Sequence, residues 1–183
     1  MGGHHLILGE LTDFITGESL DDTLDERYRQ ELARILVEER GYARSEIVPR
    51  TPLTARAGDQ RAILKIDLTV SIGDRAGMIL RFGPGSLVTR RRPSLAASRL
   101  MTGYQIPVVV ITNGEDAEIL DGETGKVIGT GLDAIPDRDA LVERMAAAAF
   151  APISPDRAER ESRILFSYDV DGSCPCDDTI CRA

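Results

Sequence analysis

From Ala62 to Ile72 apolar and polar residues alternate, with Leu64, Ile66, Leu68, Val70 and Ile72 on one parity and Lys65, Asp67, Thr69 and Ser71 on the other. A period of two marks a strand with one buried face, which predicts that Asp67 projects from the polar face of a central strand. Gly73-Asp74-Arg75-Ala76-Gly77 then turns the chain into a short apolar strand, Met78 to Phe82, so the two form a hairpin. Upstream the spacing is helical. Leu24, Tyr28, Leu32, Ile35 and Leu36 recur until Gly41, and Thr23 with Glu26 makes a capping box. A helix is expected over residues 24–40.

Between these elements Ile47, Val48 and Leu53 are interrupted by Pro49 and Pro52, which fits a short edge strand. Residues 93–104 place Leu95, Leu100, Met101 and Tyr104 in helix-like order, and the run Val108-Val109-Val110-Ile111 reads as a strand buried on both faces. A helix leading into such a strand is a crossover in a mixed sheet. Asn113-Gly114 turns the chain, and residues 117–120 and 126–128 flank Asp121-Gly122-Glu123-Thr124-Gly125 as an exposed hairpin. Residues 136–150 form an alanine-rich helix, and Ser154-Pro155 opens a last helix through Phe166. Residues 1–20 lack a period and read as an arm that packs Leu6, Ile7, Leu8, Leu11 and Phe14. The chain thus divides into an arm (1–20), an α/β domain (21–150), and a C-terminal helix with a cysteine tail (151–183).

The order helix, strand, hairpin, helix, strand carries a resemblance. Glu26-x-x-Arg29-Gln30, Leu32, Leu36, Gly41-Tyr42, Asp67 in its apolar strand, then Tyr104, Pro107, Val109 and Thr112-Asn113-Gly114 resemble the N-terminal nuclease-like domain of type I restriction enzyme R subunits. The resemblance covers roughly residues 24–128 and implies a PD-(D/E)XK fold, a restriction-endonuclease-like mixed sheet flanked by helices. The residues after it are too few for the helicase motor that follows this domain in that family. The family's early helix glutamate and strand aspartate correspond to Glu26 and Asp67, and with a following Glu-x-Lys they bind magnesium and position water. That last motif is missing. Between Met78 and Gly85 the ionisable side chain is Arg81, which holds an anion but ligates no metal. Leu100 also stands where the family tends to have glutamine. A magnesium site is therefore not expected, and Asp67 reads either as a hydrogen-bonded strand residue or as a residual ligand.

Charge bears on partners. The 183 residues carry a formal net charge of -8, so the molecule as a whole repels polyanions, and any DNA or RNA contact needs a local basic patch. The sharpest patch is Gly83-Pro84-Gly85-Ser86-Leu87-Val88-Thr89-Arg90-Arg91-Arg92, a glycine-rich turn running into three arginines with Arg81 close by. Backbone N–H groups of such a loop and arginine forks grip phosphate, which makes Arg81, Ser86, Thr89, Arg90, Arg91 and Arg92 the candidate phosphate contacts. The plain alternative is a solvated basic loop paired with the chain's own acids. No aromatic residue lies between Ser86 and Arg99 to stack bases.

Cys174, Cys176 and Cys181 are the three cysteines, spaced C-x-C-x4-C. They fit a structural zinc if Asp177, Asp178, His4, His5 or a second chain adds a fourth ligand. An iron–sulfur cluster shared between chains is a variant, and free tail thiols are the simple alternative. No apolar run approaches the roughly 20 residues of a membrane span, so a cytoplasmic protein is expected. Taken together, the residues read as a catalytically inactive nuclease-like module that binds nucleic acid or a phosphate ligand. A protein-interaction or homo-oligomeric assembly module is the second reading. A nuclease with relocated acids, using Glu26, Glu31 and Asp67 with a tail residue, is the third.

Overall fold

Alternation along the 60s builds the longest ladder of the domain. Strand β4 (Gln60–Ile72) pairs antiparallel with β3 (Ile47–Ala57) on one side and with β5 (Arg75–Phe82) on the other. The computed structural model describes residues 6–171 and 180–182, with Asp171 and 180–182 as backbone. Helix α2 (Leu87–Leu100) then crosses over to β6 (Val108–Thr112), which lies parallel to β5. The sheet continues antiparallel through β7 (Ala117–Asp121) and β8 (Val127–Thr130) in the order β3-β4-β5-β6-β7-β8. A further short strand, β9 (Ile180–Arg182), pairs with the start of β4, beyond the reach of β5. The expected mixed sheet and crossover are both present.

Helices cover both faces. On one, α1 (Leu24–Arg34), extended by a π-turn over Ile35–Glu39, and α3 (Arg138–Ala147) pack Leu32, Leu36 and Leu141 against Leu68, Val70, Met78, Leu80 and Val110. On the other, α2 and α4 (Pro155–Leu165) pack Leu95, Ala96, Ala97 and Leu165 against Leu64, Ile66, Ile79 and Val109. All five residues of β6 are buried, as its unbroken β-branched run requires.

Four expectations are revised. The parity read as a single buried face is divided: Ala62, Leu64 and Ile66 pack on the α2/α4 side, whereas Leu68 and Val70 pack on the α1/α3 side. The change falls at Asp67, and across the ladder from it Arg50 takes a left-handed φ of 53° between the pairs Pro49↔Leu68 and Thr51↔Ile66. Prolines 49 and 52 do not shorten β3, because an edge strand tolerates their missing N–H groups. The basic stretch expected as a loop is helical from Leu87, with Ser86 at the N-cap position and Pro93 inside α2, so Arg90, Arg91 and Arg92 ride on its first turns. In the arm, Glu10–Thr12 and Ser19–Asp21 form a separate small hairpin, and Leu6, Ile7 and Leu8 are exposed rather than packed.

Candidate functional site

Carboxylates from three parts of the chain converge where β4 changes faces. Thr23 accepts the N–H of Glu26 at 3.1 Å and sets the first turn of α1. The helical period then aligns Glu26, Arg29, Gln30 and Ala33 on the side turned to the sheet. Asp67 comes from β4, Arg50 from β3, and Asp13 from the turn of the N-terminal hairpin. These side chains line one small cleft together with Ile15, Pro49 and Leu68.

Every carboxylate in the cleft is held by a cation. Arg29 donates from Nε to Asp67 Oδ1 at 2.6 Å and from Nη1 to Glu26 Oε2 at 3.3 Å. Arg50 donates from Nη1 to Asp13 Oδ2 at 2.6 Å and stands 3.9 Å from Glu26 Oε1. Gln30 joins the two halves, donating to Glu26 Oε1 at 2.8 Å and to Asp13 Oδ2 at 3.3 Å while its own carbonyl accepts the N–H of Phe14 at 2.6 Å. The remaining Asp67 oxygen accepts the N–H of Phe82 at 2.8 Å, and Asp13 Oδ1 accepts the N–H groups of Ile15 and Thr16.

Burial and charge oppose each other here, and charge prevails. Burial raises the Asp13 carboxyl, but the Thr16 and Ile15 N–H groups and the Arg50 guanidinium outweigh it and hold it below the usual carboxylate range. Burial likewise weakens the Arg29 charge, and Asp67 and Glu26 more than restore it. Three carboxylates with two guanidinium groups leave one net negative charge, the same residue of charge that one divalent ion would leave among them.

A magnesium ion does not fit the residues present. A guanidinium has no lone pair to offer a metal, and both arginines already occupy the carboxylate oxygens that would be its ligands. On this face β5 carries Met78, Leu80 and Phe82, the last two nearest the cleft. Leu80 is fully buried, and Phe82 stacks on Tyr28 with centroids 5.4 Å apart while the Arg29 guanidinium lies 5.6 Å from its ring centre. Arg81 points to the other layer, where it pairs with Asp169 at 2.8 Å. Among the described residues no group of three or more His, Cys, Asp or Glu is arranged to hold a metal ion. Glu31 stays outside the cleft, exposed and 3.6 Å from Arg34.

The structure brings Glu26 and Asp67 together and disperses the candidate phosphate contacts. Arg91 makes a two-pronged ion pair with Glu118 across to β7, and Arg92 pairs with Glu161 of α4 at 2.6 Å. Glu161 also takes Arg99 at 2.7 Å, which ties α2 to α4. Burial raises the Glu161 carboxyl, yet Arg92 and Arg99 hold it below its usual range. Ser86 is exposed, and the Thr89 hydroxyl donates to the Ser86 carbonyl at 2.9 Å. Arg90 lies against Gly83, whose Cβ, if present, would meet its guanidinium carbon at 2.7 Å. Among the described residues Arg90 makes no ion pair. Cys174 and Cys176 lie outside the described residues, and Cys181 falls in β9, described as backbone.

Asp13 and Arg50 are site residues that reading the sequence missed, while Arg29 and Gln30 were named in the family motif without a role in the site. Gln30 sits one helical turn beyond Glu26, and Arg50 is the lone charge between two prolines. Asp13 left no trace, since its place depends on how the arm folds back.

No curated protein and no solved structure matches the chain. No helix among the described residues is long and apolar enough to cross a membrane. The family model for the type I restriction enzyme R protein N terminus matches residues 24–136, a span running from the first turn of α1, with Glu26, through Asp67 to the end of the sheet. With that match over most of the chain and the sheet and cleft as described, the chain belongs to the family of type I restriction enzyme R protein N termini.

Proposed function

We propose that this domain is a nuclease-fold module that binds nucleic acid without cutting it. One observation carries the reading: Arg29 and Arg50 fill the carboxylate cleft with fixed positive charge, and β5 turns Leu80 and Phe82 toward it where phosphodiester cleavage needs acidic ligands and a base. Contact with phosphate falls to Arg90, with Ser86 and Thr89 beside it at the start of α2, because Arg81, Arg91 and Arg92 are paired with the chain's own acids. That internal pairing is also what favours the second reading, an assembly module whose partner is protein and whose cysteine tail holds a structural zinc.

The test is incubation of the full chain with labelled single- and double-stranded DNA and RNA, with magnesium, manganese or chelator, scoring retention and cutting together. Retention without cutting, weakening steeply as salt rises, is the expected result. Metal-dependent cutting that Asp67→Ala abolishes would overturn it. Absence of retention at low salt, together with self-association in sedimentation, would favour the assembly reading.

A further inference from the structure

The chain is acidic overall, yet from Arg50 to Ile66 it carries Arg50, Arg56, Arg61 and Lys65 against one acid, Asp59. Arg50 is taken up by Asp13. The other three are exposed, and among the described residues none of them has an ion pair or a side-chain hydrogen bond. Arg56 and Arg61 are direct partners across the β3–β4 ladder, and Pro52 is the partner of Lys65. Cross-strand partners share a face, and alternation puts Arg61, Lys65 and Asp67 on the same one.

The opposite face of this segment is closed, with Leu53, Ala55, Ala62 and Leu64 buried against α2 and α4. Among the described residues, the charged side chains of this outward-facing strip beyond the Arg50/Asp67 step are therefore cations, Lys65, Arg61 and Arg56, with the cross-strand pair Thr54 and Ile63 between them. At the rise of a strand, Lys65 stands about 7 Å and Arg61 about 20 Å along from Asp67. Like charges set directly opposite one another disfavour the ladder, so the Arg56/Arg61 pair is not a feature that folding alone selects. No aromatic residue lies on the strip to stack a base.

We infer that the open face of the β3–β4 ladder, through Arg56, Arg61 and Lys65, takes the sugar–phosphate backbone of a nucleic acid laid outward from the carboxylate–arginine cleft. This rests on the reading that the module binds nucleic acid, and it names a surface separate from the start of α2. Contacts of this kind are sequence-independent and salt-sensitive.

The experiment is fluorescence anisotropy of the full chain with labelled 30-mer duplex DNA and single strands of scrambled sequence, in chelator, over a salt series. The variant is Arg56→Gln/Arg61→Gln/Lys65→Gln. Its charge-matched control is Lys126→Gln/Arg144→Gln/Arg160→Gln, at exposed positions elsewhere. The strip variant is expected to bind about tenfold or more weaker at low salt and to lower the salt slope for duplex by about two to three, whereas the control stays within about twofold. All six positions are exposed, and matching thermal melts establish that each variant folds. Wild-type binding that the strip variant retains as well as the control does overturns this surface and leaves the nucleic-acid reading standing. Absence of wild-type binding to every probe overturns both. Poly-glutamate captured as tightly as the oligonucleotides overturns the assignment of partner class.

Discussion

Arg29→Ala should be the most informative single perturbation of the cleft. Its guanidinium is bonded to both Asp67 and Glu26, and the two partners in its shorter ion pair are largely buried, with side chains 19% and 10% exposed. Removing one member of a buried ion pair costs about 3–5 kcal/mol, because the other charge is left without compensation. The Phe82 N–H still bonds Asp67 after the change, which places the expected loss near the lower end, about 3 kcal/mol including the lost contact with the Phe82 ring. In a chain of this size that corresponds to a fall in Tm of roughly 6–12 °C. Asp67→Asn keeps the shape and removes the stranded charge, so the double variant should be less destabilised than the sum of the singles by about 1.5–2 kcal/mol. Urea unfolding of the four proteins at neutral pH measures the cycle. A loss below about 1 kcal/mol in Arg29→Ala, or additivity within about 0.5 kcal/mol, would refute the claim that Arg29 is the counter-charge of the cleft.

Three other outcomes follow from neighbouring features. The depressed Asp13 carboxyl adds stability that is complete above the ordinary aspartate range and is lost as pH falls through its lower folded value; Asp13→Asn should therefore trail the wild type at neutral pH and close the gap in strongly acid urea titrations. Tyr42 is buried, its hydroxyl donating to the carbonyls of Pro136 at 2.9 Å and Asp137 at 3.1 Å, and its proton is held far above the normal tyrosine range by burial and by Asp137; Tyr42→Phe should cost about 1–2 kcal/mol by thermal melt, with no tyrosinate signal to lose below strongly alkaline pH. At Gly122 a Cβ would sit 1.9 Å from the Ile106 carbonyl oxygen, whereas at Gly103 it meets nothing within 4 Å; Gly122→Ala should cost about 3 kcal/mol and Gly103→Ala less than about 0.5 kcal/mol in the same assay.

Local signals were legible wherever one short segment decides the outcome. The Thr23/Glu26 spacing marked the start of α1, the period-two run marked β4, and the Val-Val-Val-Ile run marked a strand buried on both sides. The helical start of α2 was hidden because Gly83-Pro84-Gly85 and Pro93 both read as breakers, although α2 runs through Pro93, its seventh residue, at the loss of one interior N–H bond. The division of β4 between two layers was hidden for a different reason. Parity counts residues along one strand, whereas the change of face at Asp67 depends on the left-handed backbone of Arg50 in another. For the cleft, Glu26 and Asp67 came from the family resemblance, and Arg29 was visible within that motif. That Arg29 and Arg50 together neutralise the acids is a property of packing between α1, β3 and the arm, which no spacing in one segment encodes.

The step at Arg50 and Asp67 also governs how the hairpin can assemble. Sliding β3 by one residue against β4 would bring the kinked backbone of Arg50 opposite a regular stretch, and would turn Leu53 and Ala55 away from the layer that buries them. A ladder made of uniform alternation has several nearly equivalent alignments, but this one has a landmark in the middle. A misaligned ladder thus loses both that landmark and the burial of Leu53 and Ala55, which leaves one alignment favoured.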